Sequence, residues 1–273
     1  MPLARNGDVA LHWEAQGTGD PLLLIMGLGG SSRAWYRLLP HLHDTGRRVI
    51  VFDNRGTGRS DRIDGRIRLQ DMVRDALVVL DAAGEESADV LGVSMGGMIA
   101  QHLALEHRAR VRSLMLGCTT ANARAGLPSW RLLTASAMRQ VAPARALDVI
   151  APALYAERTR REHPERILED FAVRRAEGTP GATFLAQMQA IAGHDVRRRL
   201  HELEGLRVTV IHGDEDALVP PARGRELVDL IPGAVAAPIA GAGHLLLTDA
   251  EDATVAALLG HLDAVGGRTL AAT

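Results

Sequence analysis

A serine in this chain has the type and the setting needed for nucleophilic catalysis. Ser94 lies in Gly92-Val93-Ser94-Met95-Gly96, a G-x-S-x-G pattern between an apolar run and an amphipathic stretch. A strand that turns sharply into a helix at such a serine exposes its hydroxyl oxygen, and glycine is needed where flanking side chains would collide. The N-terminus of the following helix also favours developing negative charge. The motif predicts a nucleophile, although a serine that only caps an ordinary strand–helix turn fits the same five residues.

A carboxylate that can orient a catalytic base follows a later strand. The strand-like run Val208–Ile211 leads into His212-Gly213-Asp214-Glu215-Asp216, which offers three acidic side chains. Asp216 lies four residues before Pro220, the spacing we assign to the acid, and Asp214 is the alternative. Acidic runs are most often solvated loops, so this segment indicates a catalytic acid only together with the serine and histidine signals.

The base is expected after the last strand. His244 comes directly after Gly241-Ala242-Gly243, which follows the predicted strand Val235–Ile239. Small residues allow this loop to bring an imidazole over the serine, and position selects this histidine from the 11 in the chain. Serine, then aspartate, then histidine, each after a predicted strand, is an order that chymotrypsin and subtilisin do not share. It predicts a catalytic triad of Ser94, Asp216 and His244.

Backbone amides are expected to stabilise the oxyanion that nucleophilic attack on a carbonyl would produce. The loop Met26-Gly27-Leu28-Gly29-Gly30 follows the apolar run Leu22–Ile25. We predict that the N–H groups of Leu28 and Met95 point at this oxyanion. Attack by the serine and proton transfer to the histidine require neither a metal nor a cofactor, so we expect none.

Strand-like and helix-like stretches alternate along the chain, with one interruption. The predicted strands are a short one before the hairpin at Asn6-Gly7, then Val9–Ala15, Leu22–Ile25, Arg48–Phe52, Ala88–Val93, Val111–Cys118, Val208–His212 and Ala234–Ile239. The predicted helices are Trp35–Leu39, Leu69–Ala83, Met95–His107, Pro128–Gln140, Pro143–Tyr155, Pro164–Glu177, Thr183–Leu200, Ala222–Ile231 and Asp249–Val265. We therefore predict an α/β fold with a mostly parallel sheet and helices on both faces. Residues 1–120 and 206–273 would form the core domain, and residues 121–205 an inserted helical cap.

Composition excludes several classes of partner and mechanism. The chain has 273 residues and a net charge of -2, which gives no electrostatic attraction to nucleic acid or to an anionic membrane. All 31 basic residues are arginine, so no lysine can form a Schiff base. The single cysteine, Cys118, excludes a disulfide framework and a cysteine-based metal site. No apolar run is long enough to span a membrane, so we expect a cytoplasmic protein with a small-molecule partner. A homo-oligomer is neither predicted nor excluded.

Residues 20–118 and 206–262 resemble the capped α/β-hydrolase superfamily. Two motifs carry the resemblance, Gly92-Val93-Ser94-Met95-Gly96-Gly97-Met98-Ile99-Ala100-Gln101 and Asp53-Asn54-Arg55-Gly56-Thr57-Gly58-Arg59-Ser60. Within the superfamily they look most like 3-oxoadipate enol-lactonases and related small-ester hydrolases. The resemblance implies that the serine, aspartate and histidine assigned above are catalytic.

One position departs from many relatives, which have His-Gly where this chain has Met26-Gly27. Enol-lactonases also lack that histidine, so the departure favours their branch over C–C bond hydrolases. The loop from Asp53 to Ser60 is expected to be architectural, with Arg55 holding the loop in place.

Residues of the cap and one core residue need separate interpretation. Trp130, Met138 and Tyr155 are candidates for lining a substrate pocket, although packing of the cap onto the core explains them equally well. Cys118 lies in an apolar run and is predicted to be a small core residue.

The predicted activity is that of a serine hydrolase of the carboxylesterase or enol-lactonase type. It would cleave a small carboxylic ester or lactone through an acyl-enzyme. The alternatives are a cofactor-free haloperoxidase or perhydrolase, a C–C bond hydrolase, and a biosynthetic cyclase or receptor on the same fold. Peroxide-dependent halogenation, cleavage of vinylogous diketones, and binding without release of an acid would distinguish them.

Overall fold

The computed structural model describes residues 2–63, 65–123 and 143–266. Its strands are β1 (Leu3–Asn6), β2 (Val9–Gln16), β3 (Pro21–Ile25), β4 (Arg48–Phe52), β5 (Ala88–Val93), β6 (Val111–Gly117), β7 (Arg207–Gly213) and β8 (Val235–Ile239). They form one sheet in the order β1-β2-β4-β3-β5-β6-β7-β8. The pairs β1–β2 and β2–β4 are antiparallel, and the other neighbours are parallel. This mostly parallel sheet confirms the predicted fold class.

The central strands are apolar because both faces of the sheet are covered. Every residue of β3 is buried. Leu22 and Leu24 pack in a cluster with Trp35 on one face, whereas Leu23 and Ile25 pack in a second cluster on the other face. Successive side chains of a strand point to opposite faces, so a strand between two helical layers reads as continuously hydrophobic.

The helices are α1 (Leu39–Leu42), α2 (Leu69–Ala83), α3 (Met95–Glu106), α4 (Pro143–Leu154), α5 (Glu157–Glu162), α6 (Pro164–Glu177), α7 (Gly181–Ala192), α8 (Ala222–Leu230), α9 (Leu246–Asp249) and α10 (Glu251–Gly266). Helices α2 and α6 have the predicted bounds, and α2 ends at Gly84 in the left-handed conformation, with φ +76°. A membrane span would require a longer and more apolar helix than any in the described ranges.

Three local predictions need correction. The helix predicted over Trp35–Leu39 is a turn at residues 36–38, which joins a 3₁₀ helix (Ser32–Trp35) to α1. The hairpin turn consists of Gly7 and Asp8, because Asn6 already pairs with Val9. The helix predicted over Thr183–Leu200 ends at Ala192, where the chain turns back towards the sheet.

Helices α4 to α7 lie between β6 and β7, where the cap was predicted. An antiparallel bridge between Asn122 and Asp195 joins the two ends of this insertion next to the sheet. The predicted helix Pro128–Gln140 lies outside the described residues. The division into a core and a cap at residues 121–205 stays a prediction.

A buried ion pair holds the loop that follows β4. Arg55 binds both carboxylate oxygens of Asp75 on α2, with Nε–Oδ2 and Nη2–Oδ1 distances of 2.5 Å. The Asp75 side chain is 0% exposed and that of Arg55 is 11% exposed. Arg55 therefore has the loop-holding contact expected of it.

We expect Asp75→Ala to lower the free energy of unfolding by about 3–5 kcal/mol, because it leaves the Arg55 charge buried without a partner. Asp81→Ala is the matched control, since it removes another arginine partner from the same helix where the carboxylate is 62% exposed. That variant should lose less than about 1 kcal/mol. Urea denaturation measures both, and equal losses would contradict the assignment.

A buried histidine lies where the two ends of the insertion meet. His194 is 1% exposed, and its Nε2 donates to the carbonyl oxygen of Thr120 at 3.0 Å. Its ring meets that of His102 edge-on, with 5.4 Å between centroids. Burial, together with the nearby charge of His102, lowers the pKa of His194 from 6.5 to about 4. The folded protein thus keeps this imidazole neutral where the unfolded chain would protonate it.

We expect stability to fall as the pH drops from about 6.5 towards 4, because His194 takes up a proton only on unfolding in this range. Its contribution is fully present above the unfolded pKa. His194→Gln keeps a donor for Thr120 without titrating, so the slope should decrease by up to about 1.4 kcal/mol per pH unit. Urea titrations at several pH values measure the slope, and an unchanged slope would show that this histidine does not titrate on unfolding.

Candidate active site

Ser94 connects β5 to α3 in a strained backbone conformation. Its φ is +55° and its ψ is -119°, a region that side-chain-bearing residues rarely adopt. Its amide donates to the carbonyl oxygen of Gly117 at 2.8 Å, and its own carbonyl oxygen accepts from Thr119 Oγ1 at 2.7 Å. Strain of this kind persists only where neighbours enforce it, and it is concentrated at functional sites.

Close backbone contacts require glycine on both sides of Ser94. A Cβ built on Gly92 would lie 2.3 Å from the carbonyl oxygen of Gly96, and one on Gly96 would lie 2.0 Å from that of Ile25. A Cβ on Gly27 would lie 3.1 Å from the Cβ of Ser94. The loop after β3 therefore packs directly against the serine.

Of the three acidic residues after β7, Asp216 contacts the histidine. His244 Nδ1 donates to Asp216 Oδ2 at 2.8 Å, and both residues are buried. Asp214 is exposed, and its carboxylate accepts from the amide of Gly241 instead. The exposed carboxylate of Glu215 accepts from the amide of Glu157.

Hydrogen bonds keep the buried Asp216 ionised. Burial alone would raise its pKa, but the charge of His244 and hydrogen bonds from both His212 and His244 hold the pKa well below its usual range. Asp216 Oδ1 also accepts from the amides of Leu218 and Val219, at 2.9 and 2.8 Å. His212 Nε2 donates to the carbonyl oxygen of Val219 at 2.8 Å and lies 3.4 Å from Asp216 Oδ2.

The reactive atoms of Ser94 and His244 are both uncommitted. Among the described residues, no hydrogen bond is formed by Ser94 Oγ or by His244 Nε2. Cys118 lies near both residues. It follows Gly117, whose carbonyl oxygen binds the Ser94 amide, and its thiol lies 3.8 Å from the carbonyl oxygen of Gly243, which precedes His244. Catalytic hydrogen bonds are often long in unliganded enzymes and tighten when substrate binds. The contact between serine and histidine stays a prediction.

The predicted oxyanion donors lie beside the serine. Met95 is the first residue of α3, and Leu28 follows Gly27 in the loop that packs against Ser94. Within the described ranges, neither of the two N–H groups donates to another residue. Both amides are therefore available for an oxyanion, as the prediction requires.

Helix α7, in the insertion between β6 and β7, holds this loop from one side. Gln187, which is fully buried, accepts from the amide of Gly29 through Oε1 at 2.9 Å. Its Nε2 donates to the carbonyl oxygen of Arg55 at 3.3 Å. From the core side, Asn54 Nδ2 donates to the carbonyl oxygen of Met26 at 2.9 Å. The loop after β3 is thus fixed between α7 and the loop after β4.

The loop that carries His244 is also hydrogen-bonded to the insertion. The carbonyl oxygen of Leu154, at the end of α4, accepts from the amides of His244 and Leu245 at 2.8 and 3.0 Å. Asp249 Oδ2 accepts from the amides of Gly243 and Ala156 at 2.7 and 3.0 Å. Burial raises the pKa of Asp249.

A cavity lies next to His244, between α6 and the core. Tyr155 does not line it and is 2% exposed. Its hydroxyl donates to Asp170 Oδ2 at 3.1 Å, and its ring packs against Ile167 of α6 and against Leu245, which follows His244. Of its two predicted roles, packing is the one that these contacts support. Trp130 and Met138 lie outside the described residues.

Potential metal ligands occur once in the described ranges, where atoms of Cys118, His212 and Asp216 lie within 4.8 Å of one another. Burial raises the pKa of the Cys118 thiol, which disfavours the thiolate that a metal would need. Both Asp216 oxygens and His212 Nε2 are already hydrogen-bonded. These contacts indicate that Cys118 and His212 support the Asp216–His244 pair and do not bind a metal. Cys118 lies just beyond the end of β6, with φ +44°, and it is buried in the same core cluster as Leu22 and Trp35, as predicted.

Sequence reasoning missed three supporting residues: Gln187, His212 and Asp249. Gln187 gave no signal, because a glutamine in an amphipathic helix looks like a solvated residue. His212 ends an apolar strand and Asp249 follows the histidine closely, but neither position indicates its partner.

Residues 20–251 match the family model described as alpha/beta hydrolase fold. The chain therefore belongs to the α/β-hydrolase family, and it is an enzyme of that family. RutD of Azorhizobium caulinodans, whose name assigns it provisionally to carbamate hydrolysis, is 33% identical over 266 residues, which cover 95% of this chain and 97% of RutD. The resemblance to the superfamily is confirmed, whereas the enol-lactonase branch stays a prediction.

Two solved structures are also similar to this chain. A thermophilic esterase from Thermogutta terrifontis is 29% identical with a TM-score of 0.82, and the match covers 94% of each chain. Est816, described as an N-acyl homoserine lactone degrading enzyme, is 27% identical with a TM-score of 0.82, and the match covers 95% of this chain and 99% of Est816.

We expect Gln187→Ala to lower kcat for a p-nitrophenyl ester by about 10-fold or more, because the loop carrying Leu28 loses the hydrogen bond between the Gly29 amide and Gln187. Gln189→Ala, at an exposed glutamine of the same helix, is the matched control and should keep wild-type activity. Steady-state kinetics measure the effect, and thermal unfolding verifies that both variants fold. Equal activities in the two variants would contradict this role.

Proposed function

We propose that this chain is a serine hydrolase that cleaves a small carboxylic ester or lactone through an acyl-enzyme. The observation that carries the proposal is the buried hydrogen bond between Asp216 and His244. These residues follow the C-terminal ends of β7 and β8, as the strained Ser94 follows that of β5. In this arrangement an ionised carboxylate orients an imidazole, and the imidazole can accept the proton of a nearby hydroxyl.

The proposed reaction begins with attack of Ser94 Oγ on the carbonyl carbon while His244 Nε2 accepts the hydroxyl proton. Asp216 holds the histidine in the tautomer with its proton on Nδ1 and stabilises the imidazolium that forms. The amides of Leu28 and Met95 stabilise the tetrahedral oxyanion. The imidazolium then protonates the departing alcohol as the C–O bond breaks.

Hydrolysis of the acyl-enzyme completes the cycle. His244 takes a proton from water as the water attacks the acyl carbon, and it returns this proton to Ser94 Oγ as the acid leaves. In a lactone the departing alcohol and the acyl group belong to one molecule, so the same steps yield a hydroxy acid. The names of an esterase and a lactone-degrading enzyme among the similar structures support this substrate class.

We expect Ser94→Ala to abolish labelling by a fluorophosphonate and to lower ester hydrolysis by about 10³-fold or more. Ser87→Ala is the control, because this serine precedes the opposite end of β5. Gel fluorescence measures labelling, and a panel of p-nitrophenyl esters and lactones measures turnover. Labelling that persists in Ser94→Ala would refute the nucleophile. Peroxide-dependent halogenation with little hydrolysis would instead favour a perhydrolase.

A further inference from the structure

A second imidazole lies beside Asp216 and takes no part in the proposed reaction. His212, in β7, is 6% exposed. Its Nε2 lies 2.8 Å from the carbonyl oxygen of Val219 and 3.4 Å from Asp216 Oδ2. Oδ2 is also the oxygen that accepts from His244 Nδ1, whereas the amides of the loop bind Oδ1. Two imidazoles therefore face one carboxylate oxygen.

The contacts of His212 define its tautomer. A carbonyl oxygen only accepts hydrogen bonds, so the short contact with Val219 places a proton on Nε2. Nδ1 is buried and has no hydrogen-bond partner among the described residues. A second proton on Nδ1 would be a buried donor without an acceptor, which is unfavourable. His212 is therefore a neutral imidazole, and its single N–H faces Val219 and Asp216 together.

Helix α8 holds this ring in place. Gly224, in the first turn of α8, is buried, and a Cβ there would lie 2.6 Å from Nδ1 and 2.9 Å from Cγ of His212. The helix backbone thus packs directly against the ring, and only glycine leaves room for it. The N–H groups of the first helical turn also carry partial positive charge, which disfavours a second proton on Nδ1. Both effects keep the Nε2–H directed at the loop after β7.

The donors at Asp216 Oδ2 affect the basicity of His244. The negative charge of Asp216 stabilises the imidazolium that forms when His244 accepts a proton. A second N–H at the same oxygen offsets part of that charge, and such a contact acts more strongly in a site shielded from water. His244 therefore takes up a proton less readily than it would beside a carboxylate that His212 does not contact.

Other titratable and charged groups lie on the elements around this pair. Burial raises the pKa of the Cys118 thiol after β6, so the thiol stays neutral. Burial also raises the pKa of Asp249, which binds the amide of Gly243. On α8, Arg223 and Glu226 pair with each other at 3.0 Å. The other acids of the loop after β7 are exposed and bind amides elsewhere. The variants below retain all of these groups, which therefore contribute to every pH profile alike.

We infer that His212 is a positioning residue that acts through Asp216, because its Nε2–H limits the negative charge that His244 faces and keeps this base unprotonated to lower pH. The inference rests on the proposed function and identifies a residue that regulates the same site. It extends the role of His212 beyond support of the loop, since a donor at Oδ2 changes the strength of the base.

The decisive variant is His212→Leu, which removes the donor and keeps the buried site filled. We expect the acid limb of kcat/KM for p-nitrophenyl acetate to move to higher pH by about 0.5 to 1 unit, the shift that one net hydrogen bond supports. His212→Gln should shift the limb less, because its amide can donate from the position of Nε2. Initial rates measured across the pH range locate the limb in each variant.

His261→Gln is the matched control for the loss of a buried histidine. His261, on α10, is 3% exposed, and its ring nitrogens contact the hydroxyls of Thr209 and Ser113 at 2.8 and 2.9 Å. Burial lowers the pKa of His261 from 6.5 to about 4, so this ring stays neutral above that pH. The variant should lower the Tm and leave the acid limb at its wild-type position.

Gly224→Ala displaces the His212 ring without changing a titratable group. The added Cβ would overlap with the ring, so the limb should move in the same direction as in His212→Leu. Gly260→Ala is its control, because a Cβ at this position on α10 meets no neighbouring atom within 4 Å in the described part of the chain. An acid limb that stays in place in both His212→Leu and Gly224→Ala, or that moves equally in His261→Gln, would overturn the inference.

An NMR titration separates this inference from the proposed function. In Ser94→Ala protein labelled with ¹⁵N-histidine, the pH at which His244 takes up a proton should rise when His212→Leu is added, and a His244→Gln sample assigns the signal. If esters are not cleaved and the fluorophosphonate does not label Ser94, the proposed function fails, and the titration still decides whether His212 affects His244. Normal labelling with an unchanged titration would overturn the role of His212 alone.

Discussion

The site depends on a carboxylate that stays ionised while it is shielded from water. Asp216 is 3% exposed, and burial alone would favour its neutral form. Two amides of its own loop and the Nδ1–H of His244 supply the compensating hydrogen bonds. Because an ionised carboxylate can only accept, it fixes the proton of His244 on Nδ1 and leaves Nε2 as an acceptor. The loop after β7 therefore sets the tautomer of His244 that the proposed mechanism needs.

The inserted helices contribute to the positions of groups that lie in the core. Gln187 binds the loop that carries Leu28, whereas Leu154 binds the loop that carries His244. Ser94 is held differently, because its contacts come from β5, β6 and the loop after β3. Ser94 is thus held by the sheet and its loops, whereas the loops that carry His244 and Leu28 are also bonded to the insertion.

Local patterns predicted the fold well, because strands buried on both faces and helices ended by glycine leave clear signals. β5, α2 and α6 have the expected bounds. The α7 prediction was too long, because a bridge between residues distant in sequence, Asn122 and Asp195, competes with helix continuation. The supporting contacts of the site were invisible for a related reason. Each of these contacts joins residues far apart in the chain. One of the acceptors is a main-chain carbonyl, whose position cannot be predicted from the residue type.

That carbonyl, on Leu154, has a consequence for how such enzymes can diversify. Its location follows from the path of the chain at the end of α4 and not from the identity of its side chain. Recombination that exchanges the insertion between homologues would keep this contact only where the new segment follows the same path at the end of α4, even when Ser94, Asp216 and His244 are inherited intact. New specificities are therefore expected to arise through single replacements facing the cavity, with the helix ends preserved.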